Sequence, residues 1–151
     1  MISRIAMNSP IGPLTIAEKD GKITHVLYGE PEAAGERTPL LEQAERQLAE
    51  YFAGERREFD LPLNPQGTAF QKEVWKALQK IPYGETRSYG EIACAVGREK
   101  AFRAVGMANH NNPISIIIPC HRAIGADGSL TGYGGGMDKK RFLLQLEGTE
   151  K

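Results

Sequence analysis

Apolar and polar side chains alternate between Ile2 and Gly29: Ile5 and Met7, then Leu14 and Ile16, then Ile23, Val26 and Tyr28. Pro10-Ile11-Gly12-Pro13 and Asp20-Gly21 interrupt the alternation. Period-two runs divided by Gly, Pro and Asp predict short strands joined by tight turns, here a small antiparallel sheet. After a polar, turn-like stretch from Glu30 to Arg37 the period changes. Thr38 stands where it would cap a helix opened by Pro39; Leu40, Leu41, Ala44, Leu48 and Phe52 form one stripe, and Gly54 closes it.

Asp60 to Gly67, with Pro62, Asn64, Pro65 and Gly67, has the composition of a linker. It divides an N-terminal α/β domain of structural role, residues 1–64, from a C-terminal domain, residues 65–151. In the second part Thr68 with Gln71, and Ser88 with Glu91, stand at capping-box spacing. The first box opens a helix with Phe70, Val74, Trp75, Leu78 and Ile81 on its core face, stopped by Pro82 and Gly84. The second opens a short helix that Gly97 closes. Lys100 to His110 reads as another, ending at Asn111-Asn112-Pro113. Two short helices around a glycine turn resemble a helix-turn-helix. The latter carries Lys100, Arg103, Asn109 and His110 among Ala101, Ala104, Gly106 and Ala108, and small side chains let a helix approach DNA closely. The apolar run Ile114 to Ile118 predicts a buried strand delivering the chain to Pro119-Cys120-His121-Arg122. A glycine-rich loop, Gly125 to Gly136, precedes a final amphipathic helix with Phe142, Leu143, Leu144 and Leu146, stopping at Glu147-Gly148. The fold class is α+β: a sheet-plus-helix domain, then a mostly helical domain with a helix-turn-helix and a short strand leading to a cysteine.

With 151 residues, 40% of them apolar and 25% charged, the chain can bury a real core. The sequence holds no apolar run of membrane-spanning length, and Met1 to Asn8 has no secretory-signal pattern, so a soluble, cytoplasmic protein is expected; a monomer is the expected state. The net charge of zero conceals an asymmetry. Residues 1–67 hold seven Lys/Arg against eleven Asp/Glu, and residues 68–151 hold twelve against eight, so the second part is the better partner for a phosphate backbone.

Cys94 and Cys120 form no CxxC pair, and three scattered histidines complete no zinc-ligand spacing, so no metal site is expected. Cys94 reads as a small buried hydrophobe. Cys120 is different because His121 and Arg122 follow it: a nucleophilic cysteine reacts as thiolate and needs a base or positive surroundings. On an extended segment His121 would point away from Cys120, and it would reach the thiol across a turn or through a water. A base of this kind needs a third group to fix its tautomer, and Glu147 is the candidate.

Pro82-Tyr83-Gly84-Glu85-Thr86, Ser88-Tyr89, Arg103-Ala104-Val105-Gly106, Asn112-Pro113, Ile118-Pro119-Cys120-His121-Arg122, Gly132-Tyr133-Gly134-Gly135 and Leu146-Glu147-Gly148 together resemble the O6-alkylguanine-DNA alkyltransferase family. Ser9-Pro10-Ile11-Gly12-Pro13-Leu14 is similar to that family's amino-terminal domain. The resemblance implies direct repair of double-stranded DNA. An alkyl group on guanine O6, and less efficiently on thymine O4, would pass irreversibly to Cys120, once per chain, after base flipping from the minor groove, with no metal and no organic cofactor. It casts His121 as base through a bound water, Glu147 as its orienting group and Asn112 as brace of the turn. Tyr89 would crowd the phosphate of the flipped nucleotide and help protonate the departing guanine. Arg103 would fill the vacated stack, with Ala104, Ser88, Asn109 and His110 along the DNA contact. Tyr133, Gly134, Gly135, Ala123 and Pro119 would form the substrate pocket. Some members bind zinc through cysteines in the first domain, and this chain has none before Cys94. Three rivals stay open: a lesion-binding protein without transfer, a helix-turn-helix regulator, and a cysteine hydrolase.

Overall fold

The alternation at the N-terminus folds as expected into a three-stranded antiparallel sheet, β1 (Ile2–Met7), β2 (Leu14–Lys19) and β3 (Lys22–Tyr28), with β2 in the centre. The register lines up Ile5, Ile16 and Val26 across the sheet, so one face is apolar. Helix α1 (Pro39–Phe52) turns Leu41, Ala44, Leu48 and Tyr51 inward. Tyr51 rather than Phe52 completes the stripe, because the helical phase carries Phe52 to the half-buried flank. The Thr38 hydroxyl accepts from the Leu41 amide at 3.1 Å, a cap worth about 1 kcal/mol.

This computed structural model describes residues 2–31, 35–128 and 136–148, and the chain forms two compact units. The first is Met1–Gln66 together with Pro113–Ser115; the second is Gly67–Asn112 together with Ile116–Lys151. Within the first unit the exposed edge of β3 is covered twice. The Ile23 amide donates to Pro62 O and its carbonyl accepts from Asn64 N, both at 2.8 Å, so part of the linker-like stretch is tied to the sheet. Further along, Val26 N donates to Pro113 O at 3.0 Å and Ser115 N to Val26 O at 3.1 Å. A covered edge cannot template pairing with another chain.

The second unit contains α2 (Ala69–Gln79), a two-residue strand β4 (Arg87–Ser88), α3 (Tyr89–Ala95), α4 (Phe102–His110), a 3-10 turn at Cys120–Arg122, β5 (Ala123–Ile124) and α5 (Met137–Leu146). Both capping boxes form in full at the starts of α2 and α3. Buried Trp75 on α2 donates its indole N–H to Ala108 O on α4 at 2.8 Å, which satisfies the one polar atom of the largest core side chain. Helix α4 starts at Phe102, later than the sequence suggested, after Ala101 with no side-chain cap.

One expectation fails. The run Ile114 to Ile118 is buried but is not a strand: Ile114 alone makes a bridge, to Val26, and the chain then turns with Ile116 at φ 73°. Apolarity reported burial correctly, and burial was satisfied by a turn. A β-branched residue at positive φ is strained, by about 1–3 kcal/mol, and is held there by its surroundings. The short strands near Cys120 are β4 and β5, which pair in parallel as Arg87 with Ala123 and Ser88 with Ile124.

Candidate active site

The strained turn is braced from α4. Asn112, buried just past that helix, donates Nδ2–H to Ile118 O at 2.9 Å, two residues before Cys120. Cys120 opens the 3-10 turn and is 3% exposed; its amide donates to Ile118 O at 2.7 Å. The same turn changes the direction of His121, which an extended chain would have thrown to the opposite side.

His121 is fully buried and donates Nε2–H to Glu147 Oε2 at 2.7 Å. Because an ionised carboxylate only accepts, the neutral ring must carry its proton on Nε2, leaving Nδ1 bare. Nδ1 is buried and has no hydrogen-bond partner among the described residues. Glu147, at the end of α5, is therefore no solvated terminal glutamate. Arg122 grips it with Nε to Oε1 at 2.8 Å and Nη2 to Oε2 at 2.9 Å, while Gly84 N donates to Oε1 at 3.3 Å. Arg122 Nη1 donates to Ile81 O at 2.7 Å, and the guanidinium lies 5.7 Å from the Tyr83 ring centroid. Burial alone would raise the Glu147 carboxyl, but the hydrogen bonds and charges of His121 and Arg122 hold it far below the ordinary carboxylate range. Burial pushes His121 down, and Arg122 and Lys140 add to that against the opposing pull of Glu147.

Lys140 is the group that sequence reasoning missed. Its helical position placed it on the inner face with Leu143 and Leu144, one turn before them, and that phase was the available signal. It is fully buried, donates to Ala123 O and lies 5.9 Å from the Tyr89 ring centroid. Burial lowers its ammonium to about 8, against an opposing pull from Cys120. Arg122 was read as a source of positive field for Cys120; the structure gives it mainly to Glu147.

The remaining predicted residues divide. Ser88 caps α3, Tyr89 begins it half-buried, and β4 pairs Arg87 with Ala123 and Ser88 with Ile124, so the start of α3 is fixed relative to the turn at Cys120. Pro119 and Ala123 are buried on either side of the 3-10 turn. On α4, Arg103, Ala104 and His110 are exposed, whereas Asn109 is 1% exposed and faces inward beside Ala108. A direct DNA contact for Asn109 is thereby corrected: four residues after Val105, it lies on the buried stripe of the helix. The outward face includes instead Phe102 and Met107, 49% and 61% exposed. Cys94, expected to be buried, is exposed, and neither cysteine forms a disulfide. Tyr133, Gly134 and Gly135 lie outside the described residues.

A buried Cys-His-Glu-Arg cluster and a helix pair with an outward arginine thus share the second unit. Two family models cover almost the whole chain: the ribonuclease-like domain of 6-O-methylguanine DNA methyltransferase over residues 2–65, and its DNA-binding domain over residues 69–149. The chain belongs to the 6-O-methylguanine DNA methyltransferase family. A relative from Methanosarcina acetivorans, named methylated-DNA–protein-cysteine methyltransferase, is 54% identical over 93% of this chain and 95% of its own. The crystal structure of the Mycobacterium tuberculosis O6-methylguanine methyltransferase superposes with a TM-score of 0.87 at 51% identity, covering all of this chain and 95% of the other. A second mycobacterial structure, that of OGT in complex with DNA, gives a TM-score of 0.85 at 55% identity over 94% of this chain and 90% of its own. In this member of the methyltransferase family no helix among the described residues is long and apolar enough to cross a membrane.

Proposed function

We propose that this protein repairs DNA directly, by moving an alkyl group from O6 of guanine onto Cys120 Sγ. The observation that carries the reading is the Cys120 turn with His121 locked by Glu147 so that bare Nδ1 is the only nitrogen left to accept a proton. The thiol proton passes to that nitrogen, through a water or at closer approach, and the thiolate attacks the alkyl carbon. The S–C bond forms as the C–O6 bond breaks, and the departing guanine takes a proton delivered by Tyr89, which is restored from His121 or solvent. Such chemistry cannot occur inside an intact stack, so the nucleotide is rotated out at a cost of a few kcal/mol. Arg103, exposed on α4, fills the gap from the minor groove side, where base readout is poor and lesions in any sequence are served.

The thioether product resists thiol exchange, so one chain repairs one lesion; O4-alkylthymine reacts by the same path less efficiently. The second unit binds DNA and transfers the group, and the first has a structural role. The protein acts as a monomer in the cytoplasm, where a reducing environment keeps the acceptor thiol available. The test compares variants on a duplex with one O6-methylguanine. Cys120→Ala binds but restores no guanine, whereas Cys94→Ser restores one per chain. Methyl removal by Cys120→Ala, or repeated turnover by the wild type, overturns the reading.

A further inference from the structure

His121 is surrounded by charge that its sequence neighbours do not disclose. Among the described residues, α5 and α2 are the elements packed most closely against the 3-10 turn. Helix α2 turns only apolar side chains fully inward, Val74, Trp75 and Leu78, whereas α5 brings Lys140 and is capped at its C-terminus by Glu147. Among the described residues, the charged groups acting on His121 are Arg122 from its own turn, Lys140 on α5 and Glu147 at its C-cap, with the Cys120 thiol the preceding residue. Tyr83 packs on the Arg122 guanidinium.

A carboxylate 2.7 Å from a buried imidazole, with no other counter-charge, draws a second proton onto the ring, because an imidazolium–carboxylate pair is better stabilised there than a lone anion. A ring protonated on both nitrogens cannot accept a proton from a thiol. In this protein the carboxylate is already taken: Arg122 meets both oxygens in the two-pronged geometry that Arg alone supplies, with its third edge fixed on Ile81 O. We propose that Arg122 is a positioning residue which neutralises Glu147 and so keeps His121 an uncharged imidazole with Nδ1 ready to receive a proton. Glu147 then fixes the tautomer without charging the ring. The consequence for rate rests on the alkyl-transfer reading, whereas the protonation state of His121 does not.

The experiment follows the imidazole nitrogens of His121 by long-range proton–nitrogen NMR correlations in the full chain from about pH 8 to about pH 5, across the ordinary histidine range. Wild type, Arg122→Gln and Arg122→Lys are compared, each checked for folding by Trp75 fluorescence. The wild-type ring stays neutral and Nε2-protonated to below the usual histidine value. Arg122→Gln takes up the second proton at least about one pH unit higher, and Arg122→Lys, whose point charge serves one oxygen, falls between them. Single-turnover alkyl transfer by Arg122→Gln then drops at the acid end by about tenfold more than at the alkaline end. Identical His121 titration in all three proteins overturns the proposal, as does a rate loss equal at every pH. If Arg122→Gln does not fold, an unmoved titration in Arg122→Lys overturns it. A shifted titration in a protein that transfers no alkyl group leaves this proposal standing and removes the functional one.

Discussion

Replacing Glu147 by Gln keeps the shape of the side chain and removes half of what it does. Among the described residues its two oxygens accept hydrogen bonds from His121 Nε2, from Arg122 Nε and Nη2, and from Gly84 N. An amide has one oxygen and one NH2, so in either orientation two of those donors face another donor, and Arg122 keeps one of its two bonds. The buried guanidinium also loses its counter-charge. Removing one partner of a buried ion pair costs about 3–5 kcal/mol, a large part of the 5–15 kcal/mol that typically holds a domain folded. The sole tryptophan, Trp75, is buried in the same unit, so its fluorescence during urea unfolding at neutral pH reads the unit that holds the pair. The double variant Arg122→Met/Glu147→Gln strands no charge and should be at least about 1 kcal/mol more stable than additivity of the two single changes allows. A loss below about 1 kcal/mol for Glu147→Gln, or strict additivity in the double variant, would refute the argument that this carboxylate is the centre of a buried charge network.

Other consequences are as direct. Arg103→Ala should slow repair of a duplex by about tenfold or more while leaving reaction with a free O6-alkylguanine base within about twofold, since unstacking is needed only in the duplex; equal losses on both would end the finger role. Tyr89→Phe should lower the single-turnover rate on alkylated duplex with little change in binding, and an unchanged rate would remove proton delivery from its duties. Lys140 is held at about 8, below its unfolded value of 10.5, so unfolding takes up a proton between these values and stability must rise with pH across that window. The unfolding free energy from urea curves should therefore rise from about pH 7.5 to about pH 9.5 by on the order of 1–2 kcal/mol more in the wild type than in Lys140→Met, and an equal rise would show that the ammonium is not desolvated.

Much of this was legible beforehand because local signals and tertiary packing agree. Thr38, Thr68 and Ser88 cap the helices they were expected to cap, and the period-two runs form the sheet in an apolar register. The misread stretch is Ile114–Ile118, where apolarity encodes burial without encoding conformation; the pairing of Ile114 with β3 and the bracing by Asn112 are long-range and leave no local pattern. The inner face of α4 was misjudged at Asn109 because a polar residue was assumed to face outward. At the site, the nucleophile and its histidine were visible as neighbours, but the grip of Arg122 on Glu147 joins residues 25 positions apart, and Lys140 was hidden among surface-like charges on α5. Those contacts exist only once α5 is laid against the 3-10 turn.

The central claim is that Cys120, and no other atom of the chain, ends bonded to the alkyl carbon. Intact mass spectrometry with peptide mapping, after incubation with excess duplex carrying one O6-methylguanine, tests it most directly. The account predicts one methyl in place of one hydrogen, on the Cys120 peptide, saturating at a single group per chain. Binding to the duplex with an unchanged mass, or methylation at exposed Cys94 instead, would contradict it.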